Sequence, residues 1–162
     1  MAINPVESGS PFCDMSSHGN NEMSMEFQIS GSLEGLDDLR EKLEHLVSSW
    51  GLSKQALFEL NLVLEELCSN YIEHSGETSR SEVKIKLSMN SSEFVITISD
   101  SGPPFDPTKR PPPDLTQPLA ERQSGGLGLH FVRHFTDQII YSREKSQNIV
   151  TIIKKREGER RE

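Results

Sequence analysis

The sequence contains little cysteine, no long apolar run and fewer basic than acidic residues. Cys13 and Cys68 lie far apart, so they do not form the paired framework of a small disulfide-rich domain. No apolar segment approaches the roughly 20 residues that cross a bilayer, and the N-terminus lacks a basic start followed by an apolar block. We therefore expect a cytoplasmic protein that makes no contact with a membrane.

The balance of charge limits the classes of partner. The chain has 17 Lys and Arg against 25 Asp and Glu, a formal net charge of −8. Binding to the phosphates of a nucleic acid requires a basic surface, so direct nucleic-acid binding is not expected. The 162 residues, 33% of them apolar, predict a single domain with one hydrophobic core.

Composition divides the chain into a domain and two tails. Residues 1–24 are rich in Ser, Asn, Gly and Pro without a sustained period, which predicts a disordered N-terminal tail. The domain is predicted over residues 25–155. The charged residues 156–162 are predicted to form a C-terminal tail.

A first strand over residues 25–30, which alternates as an edge strand does, is followed by two predicted helices. Leucine spacing predicts a helix from Leu33 to Trp50 that Gly51 ends, and Ser53 is the expected N-cap of the next helix. The apolar residues of that second helix recur every three or four positions and are expected to face the core: Leu57, Leu60, Leu64, Leu67 and Tyr71.

Alternating strands make up most of the remaining domain. "EVKIKLSMN" and "SEFVITISD" predict one hairpin, and "QIIYSREKSQNIVTIIKK" predicts another after the glycine-opened helix "GGLGLHFVRHFTD". This order predicts an α+β fold, a two-layer sandwich in which a mostly antiparallel mixed sheet has helices on one face. A parallel, doubly wound sheet is not expected, because it needs helices between most of its strands.

A proline-rich stretch of about 24 residues follows Asp100, and no packed element is predicted within it. Loops of this length inside a compact domain are usually disordered linkers or functional lids. Both interpretations are open from the residues alone.

One face of the second predicted helix carries its carboxylates. At about 100° per residue, Glu59, Asn70 and Glu73 lie within about 40° of Glu66. A solvated helix face is the ordinary explanation of such a pattern. Asn70 is less expected there, because asparagine is a mediocre helix former.

Two further segments can bind a ligand. Asp100 ends a strand, where a buried carboxylate needs a donor such as an exocyclic amine, and Gly102 leaves room for a flat group to lie close. The glycines of "SGGLGLHF" expose backbone N–H groups at a helix N-terminus, which suits an anion. A generic turn and an ordinary flexible loop are the alternative explanations.

Three segments in this order carry a family resemblance. "LEELCSNYIEHSG", "ISDSGPPFDP" and "GGLGLHFVRHFTDQIIYSREKSQNIVTIIKK" resemble the nucleotide boxes of the anti-sigma regulatory factor serine/threonine kinases, within the GHKL superfamily of gyrase, Hsp90, histidine kinases and MutL. The resemblance covers residues 25–155. It implies a Bergerat-type ATP-binding fold closed by a mobile lid.

The resemblance also implies roles for particular residues. Asn70 would bind the Mg²⁺ that bridges the phosphates, Asp100 would accept the adenine amino group, and Gly102 would lie under the base. Glu66 would be the general base for an incoming hydroxyl group. The phosphates would be held by residues at the end of the lid: Arg122, Gly125, Gly126 and Gly128.

The implied function is that of an ATP- and Mg²⁺-dependent protein serine/threonine kinase. Its substrate would be a small STAS-type antagonist protein, and a sigma factor or another regulator would be the second partner. Relatives are commonly homodimers, and the first strand and helix are candidate interface elements, with Trp50 either there or in the core. One departure from the pattern is that Gln147 and Asn148 stand where relatives often have Gly-Thr.

Two other functions stay open. The protein could bind ATP and only gate a protein interface, or it could be an isolated catalytic domain of a histidine kinase. A catalytic base at Glu66 favours the serine/threonine kinase over the gated module, and the short lid disfavours the histidine kinase.

Overall fold

The computed structural model describes residues 22–74, 82–110 and 127–156. The predicted tails lie almost entirely outside these ranges, and so do residues 111–126, which contain the second half of the predicted lid. No helix among the described residues is long and apolar enough to span a bilayer.

The described residues form five strands and three α-helices in the predicted order. In chain order the elements are β1 Met23–Ser30, α1 Leu33–Trp50, α2 Lys54–His74, β2 Glu82–Met89, β3 Glu93–Asp100, a 3-10 helix Pro107–Lys109, α3 Leu127–Phe135, β4 Gln138–Glu144 and β5 Gln147–Lys155.

The five strands form one sheet in the order β1-β2-β3-β5-β4, and every pairing between them is antiparallel. This confirms the α+β prediction, although no parallel pair occurs among these strands to make the sheet mixed. β1 lies at an edge, as its sequence predicted. The register of β3 and β5 sets Asp100 directly opposite Asn148, at one end of the two central strands.

Local signals explain the ends of the helices. Gly51 follows α1 with a φ of 63°, a left-handed conformation that glycine adopts without a steric penalty. The Ser53 hydroxyl accepts a hydrogen bond from the Ala56 N–H at 3.1 Å, which caps the start of α2 as predicted.

The core lies between one face of the sheet and the helices. Leu60, Leu64, Leu67 and Tyr71 of α2 are buried as predicted, whereas Leu57 is only partly buried. Trp50 is buried with its ring edge-on to Phe94, the ring centroids 6.0 Å apart, so it fills the core. Burial raises the pKa of the Cys68 thiol to about 12, which makes this cysteine unreactive.

Candidate active site

Asp100 is a buried carboxylate held from two sides at the end of β3. Its Oδ1 accepts hydrogen bonds from the Gly102 N–H at 2.8 Å and from Asn148 Nδ2 at 2.9 Å. Desolvation by burial raises the pKa of Asp100, while the Asn148 and Gly102 hydrogen bonds and the charge of Arg143 act to lower it. The carboxylate is therefore costly to bury and depends on its donors.

Gly102 is required by the close approach of its own neighbours. A Cβ at this position would lie 2.9 Å from Cε2 of the Tyr71 ring and 3.0 Å from Asp100 Oδ1. The missing side chain thus allows the chain leaving β3 to fold back over Tyr71. The position of Gly102 under a bound base remains a prediction.

A small cavity opens beside Asp100. It has a volume of about 30 Å³, on the scale of one or two water molecules. Its apolar lining suits a flat aromatic base, but a purine needs more room than this. The lining residues are Leu67, Tyr71, His74, Ile98, Asp100, Pro103, Phe105, Pro107, Asn148 and Val150.

Residues 101–110, here called the strap, cover this cavity. The Phe105 ring stacks on His74 with centroids 4.4 Å apart, and Arg110 donates to His74 Nε2 while lying over Phe105. Arg133 of α3 donates to the Arg110 carbonyl at 2.6 Å. The prediction that no packed element occurs in this stretch is wrong for Pro107–Lys109, because Asp106 caps a 3-10 helix there.

A second cluster joins α2 to the start of α3. Asn70 is buried, and its Nδ2 donates to the Glu66 carbonyl and to Glu66 Oε1, each at 2.7 Å. A Cβ at Gly128 would lie 1.7 Å from Glu66 Oε2. The glycine therefore leaves the space in which the Glu66 carboxylate of α2 packs against α3. The solvated-face explanation therefore fails for Glu66 and Asn70.

Glu59, lower on the same face, has a structural partner of its own. It forms an ion pair with Lys154 of β5. Burial acts to raise its pKa, but hydrogen bonds from Lys154 and Gln55 and the charge of Lys154 produce a net lowering. Glu59 thus contributes to the attachment of α2 to the sheet.

The side-chain oxygen of Asn70 suits a magnesium ion that is bound together with a nucleotide. Both Asn70 amide hydrogens have acceptors on Glu66, and no donor among the described residues engages Asn70 Oδ1. No group of three or more His, Cys, Asp or Glu residues in the described part of the chain could hold a metal by itself. Mg²⁺ commonly binds through one or two protein oxygens together with substrate phosphates.

The two clusters share the last turns of α2. Leu67 and Tyr71 line the cavity at Asp100, and of their chain neighbours Glu66 lies against Gly128 of α3 and Asn70 donates to Glu66. Consecutive Cα atoms lie about 3.8 Å apart, so the clusters are adjacent. Three predicted phosphate-binding residues lie outside the described residues: Arg122, Gly125 and Gly126.

A larger cavity of about 650 Å³ lies at the other end of α2. Leu60 and Phe94 contribute to its apolar floor, and the Glu59–Lys154 pair lies at its rim. None of the described predicted site residues lines it, so its size does not make it the candidate active site.

Comparison with known proteins identifies the family. Residues 29–154 match the family described as "Histidine kinase-like ATPase domain". The chain belongs to this family. Membership implies ATP binding. This agrees with a cavity bordered by the Asp100 carboxylate beside the Asn70–Glu66 pair of α2.

Two curated relatives of this ATPase domain are kinases. The serine/threonine-protein kinase BtrW of Bordetella bronchiseptica is 30% identical over 111 residues, 68% of this chain and 78% of BtrW. The serine-protein kinase RsbW of Bacillus cereus is 20% identical over 130 residues, 78% of this chain and 81% of RsbW.

Solved structures confirm the GHKL-type ATPase fold. The RsbU and RsbW domains of a Mycobacterium tuberculosis protein superpose with a TM-score of 0.58 at 10% identity, over 81% of this chain and 32% of that one. The present chain thus spans about a third of that protein. A chain of the SiaB–SiaC complex from Pseudomonas aeruginosa gives a TM-score of 0.53 at 12% identity, covering 80% and 88%.

Sequence reasoning missed several residues of the candidate site. No sequence pattern predicts a role for His74, on which Phe105 of the strap stacks. Asn148 was noted only as a departure from Gly-Thr, yet it bonds Asp100 directly. The last hairpin offered a signal for these residues. A two-residue turn at Lys145 and Ser146 sets Arg143 opposite Asn148.

Proposed function

We propose that this protein is an ATP-dependent serine/threonine protein kinase that phosphorylates a small STAS-type antagonist protein. A sigma factor or another regulator is the second partner, and the kinase acts as a homodimer. The observation that carries the proposal is the contact of the Glu66 carboxylate with Asn70 on one side and with Gly128 on the other.

Glu66 has the position and the chemistry of a general base. Its Oε1 is engaged by Asn70, whereas Oε2 lies at the start of α3, where the glycine-rich segment begins its helix. In the proposed step the substrate hydroxyl oxygen bonds to the γ-phosphorus and its proton passes to Glu66. The bond from the γ-phosphorus to the β–γ bridging oxygen breaks, and ADP leaves.

The remaining residues bind and orient the nucleotide. Asp100 accepts the exocyclic amine of the base, and Gly102 allows the backbone to pass close to it. Gly125, Gly126 and Gly128 with Arg122 enclose the phosphates. Asn70 Oδ1 would hold Mg²⁺, which neutralises phosphate charge when it is bound.

The names of the relatives support the substrate class. BtrW and RsbW are named as serine or serine/threonine kinases, and the family match includes every described site residue. The SiaB–SiaC structure is a complex of two proteins, which supports a protein partner for this fold.

Labelled ATP tests the proposal. The full chain is incubated with γ-labelled ATP, Mg²⁺ and candidate STAS-domain proteins, and the expected product is an acid-stable phosphoprotein. Acid-labile phosphate on a partner would indicate a histidine kinase. Nucleotide binding without transfer would indicate a gated module, and no nucleotide binding would remove the ATPase assignment of the site.

Substituting the proposed base separates catalysis from binding. Glu66→Gln keeps an acceptor for Asn70 but cannot take a proton, so transfer should fall by about 10² to 10⁴ with nearly unchanged nucleotide affinity. Asn70→Ala should instead weaken Mg²⁺-ATP binding in titrations. Glu73→Gln, on the exposed end of α2, is the matched control. Equal affinity losses in the Glu66 and Asn70 variants would contradict the assigned roles.

A further inference from the structure

Asn148 lies at the centre of a hydrogen-bond network beneath the base cavity. It is 3% exposed, and all of its amide capacity is used. Nδ2 donates to Asp100 Oδ1 and to the Pro103 carbonyl, each at 2.9 Å. Oδ1 accepts from Arg143 Nη1 at 2.7 Å, from the Tyr141 hydroxyl at 2.8 Å and, more weakly, from the Phe105 N–H at 3.4 Å.

The orientation of this amide follows from its partners. A guanidinium can only donate, so the Asn148 atom facing Arg143 must be the oxygen. A backbone carbonyl can only accept, so the atom facing Pro103 must be the nitrogen. The amide cannot be flipped without two donor–donor or acceptor–acceptor clashes, and Nδ2 is therefore held against Asp100.

With the Asn148 amide in this orientation, the two oxygens of Asp100 differ in their hydrogen bonds. Oδ1 already accepts from Gly102 and Asn148. No donor among the described residues engages Oδ2, and Asp100 borders the cavity. Oδ2 is therefore the oxygen left to accept from a base bound beside Asp100, which an exocyclic amine satisfies and an oxo group does not.

We propose that Asn148 is a positioning residue. By donating to Oδ1 of Asp100, it holds that carboxylate so that Oδ2 can only accept a hydrogen bond from the base, which favours 6-aminopurine over 6-oxopurine nucleotides. Arg143 and Tyr141 fix the orientation of Asn148 by donating to its Oδ1. The inference rests on the proposed nucleotide function and adds to it the residues that determine base specificity. Asn148 acts on the base only through Asp100.

A matched pair of variants tests the role. Asn148→Thr and Asn148→Val have the same shape and both suit a strand, but only threonine can donate a hydrogen bond to Asp100. ATP and inosine triphosphate, which carries an oxo group at position 6, are titrated into wild type and both variants with Mg²⁺. The measured quantity is the ratio of the two dissociation constants.

The expected results are distinct. Wild type should prefer ATP, and Asn148→Val should reduce that preference by about tenfold or more, the effect of losing a hydrogen bond to a charged group. Asn148→Thr should restore much of it. Unchanged preference in Asn148→Val, or equal binding of both nucleotides by wild type, would overturn the inference. No ATP binding by wild type would refute the proposed function instead.

A second variant covers the case in which Asn148→Val does not fold. Arg143 is exposed, so Arg143→Met removes a donor to Asn148 Oδ1 and to the Gly102 carbonyl with little effect on the core. We expect a smaller loss of ATP preference, with an unchanged melting temperature. Arg143→Lys, which keeps a cationic donor, should retain the preference. A wild-type preference for ATP in Arg143→Met would contradict the proposed role of Arg143 in orienting Asn148.

Discussion

At the scale of single residues, the chemistry of the site depends on which side chains approach Glu66 and Asp100. Glu66 is partly exposed but contacts Gly128 so closely that no larger residue fits without moving it. Asp100 is buried and held by two donors on one oxygen. The two carboxylates thus differ in their exposure and in the number of donors that hold them.

Gly128→Ala is the sharpest residue-level test. In a helix, alanine is normally favoured over glycine by about 1 kcal/mol, so stability should not fall much. The new Cβ would occupy the site of Glu66 Oε2, so the carboxylate must rotate away and phosphotransfer should fall at least tenfold, as measured with labelled ATP.

Gly51→Ala is the control for that experiment. It places a side chain at a φ of 63° with nothing within 4 Å, far from the site. It should lower stability by about 1 kcal/mol and leave the transfer rate unchanged. A wild-type rate in Gly128→Ala would contradict the role of the Glu66 position.

At the scale of elements, the turn between β4 and β5 sets the register at the end of the sheet that carries Asp100 and Asn148. Lys145 and Ser146 have φ values of 47° and 69°, so both central residues of this two-residue turn are left-handed. The turn pairs Glu144 with Gln147 and therefore Arg143 with Asn148. A one-residue slip would move Asn148 to the other face.

Replacing this turn by the preferred residues should stabilise the protein. Lys145→Asn with Ser146→Gly relieves two unfavourable conformations, and we expect a gain of about 1 kcal/mol in the free energy of unfolding by urea. The ATP preference should be unchanged. Ser92→Gly in the other hairpin, where φ is not positive, should give no gain. A loss of stability in the double variant would show that the turn residues have another role.

At the scale of the whole molecule, few side-chain contacts between described residues connect the helical layer to the sheet outside the apolar core. Lys154 is one of them, since it pairs with Glu59 of α2 and donates to the Phe135 carbonyl at the end of α3. The contact joins α2, α3 and β5 at the end of the fold opposite Asp100. It holds the layers together but lies away from the proposed chemistry.

The Glu59 contact predicts a pH dependence of stability. The folded pKa of Glu59 is lowered from its ordinary 4.5, so its contribution is present above pH 4.5 and is lost as the pH falls through the folded pKa. Glu59→Gln should cost about 1 kcal/mol at pH 7 in urea unfolding, and the difference from wild type should shrink below pH 4.5. Glu73→Gln should show no such difference. A pH-independent cost would point to packing instead.

Local pattern predicted the elements well because their causes are local. The bounds of α1 follow from leucine spacing and from Gly51, and the capping of α2 follows from Ser53. The same periodicity identified the face that holds Glu66 and Asn70. The roles of Arg122, Gly125 and Gly126 stay predictions, because these residues lie outside the described part of the chain.

The amino-acid order alone was enough to establish the helices, the hairpins, the acidic character and the order of the nucleotide motifs, since each depends on neighbours a few positions apart. It could not reveal that β5 inserts beside β3, that Asn148 faces Asp100, or that His74 and Arg133 hold the strap. Those contacts join residues tens of positions apart. They form only when the packing of the core fixes strand order and register, and no local preference encodes them.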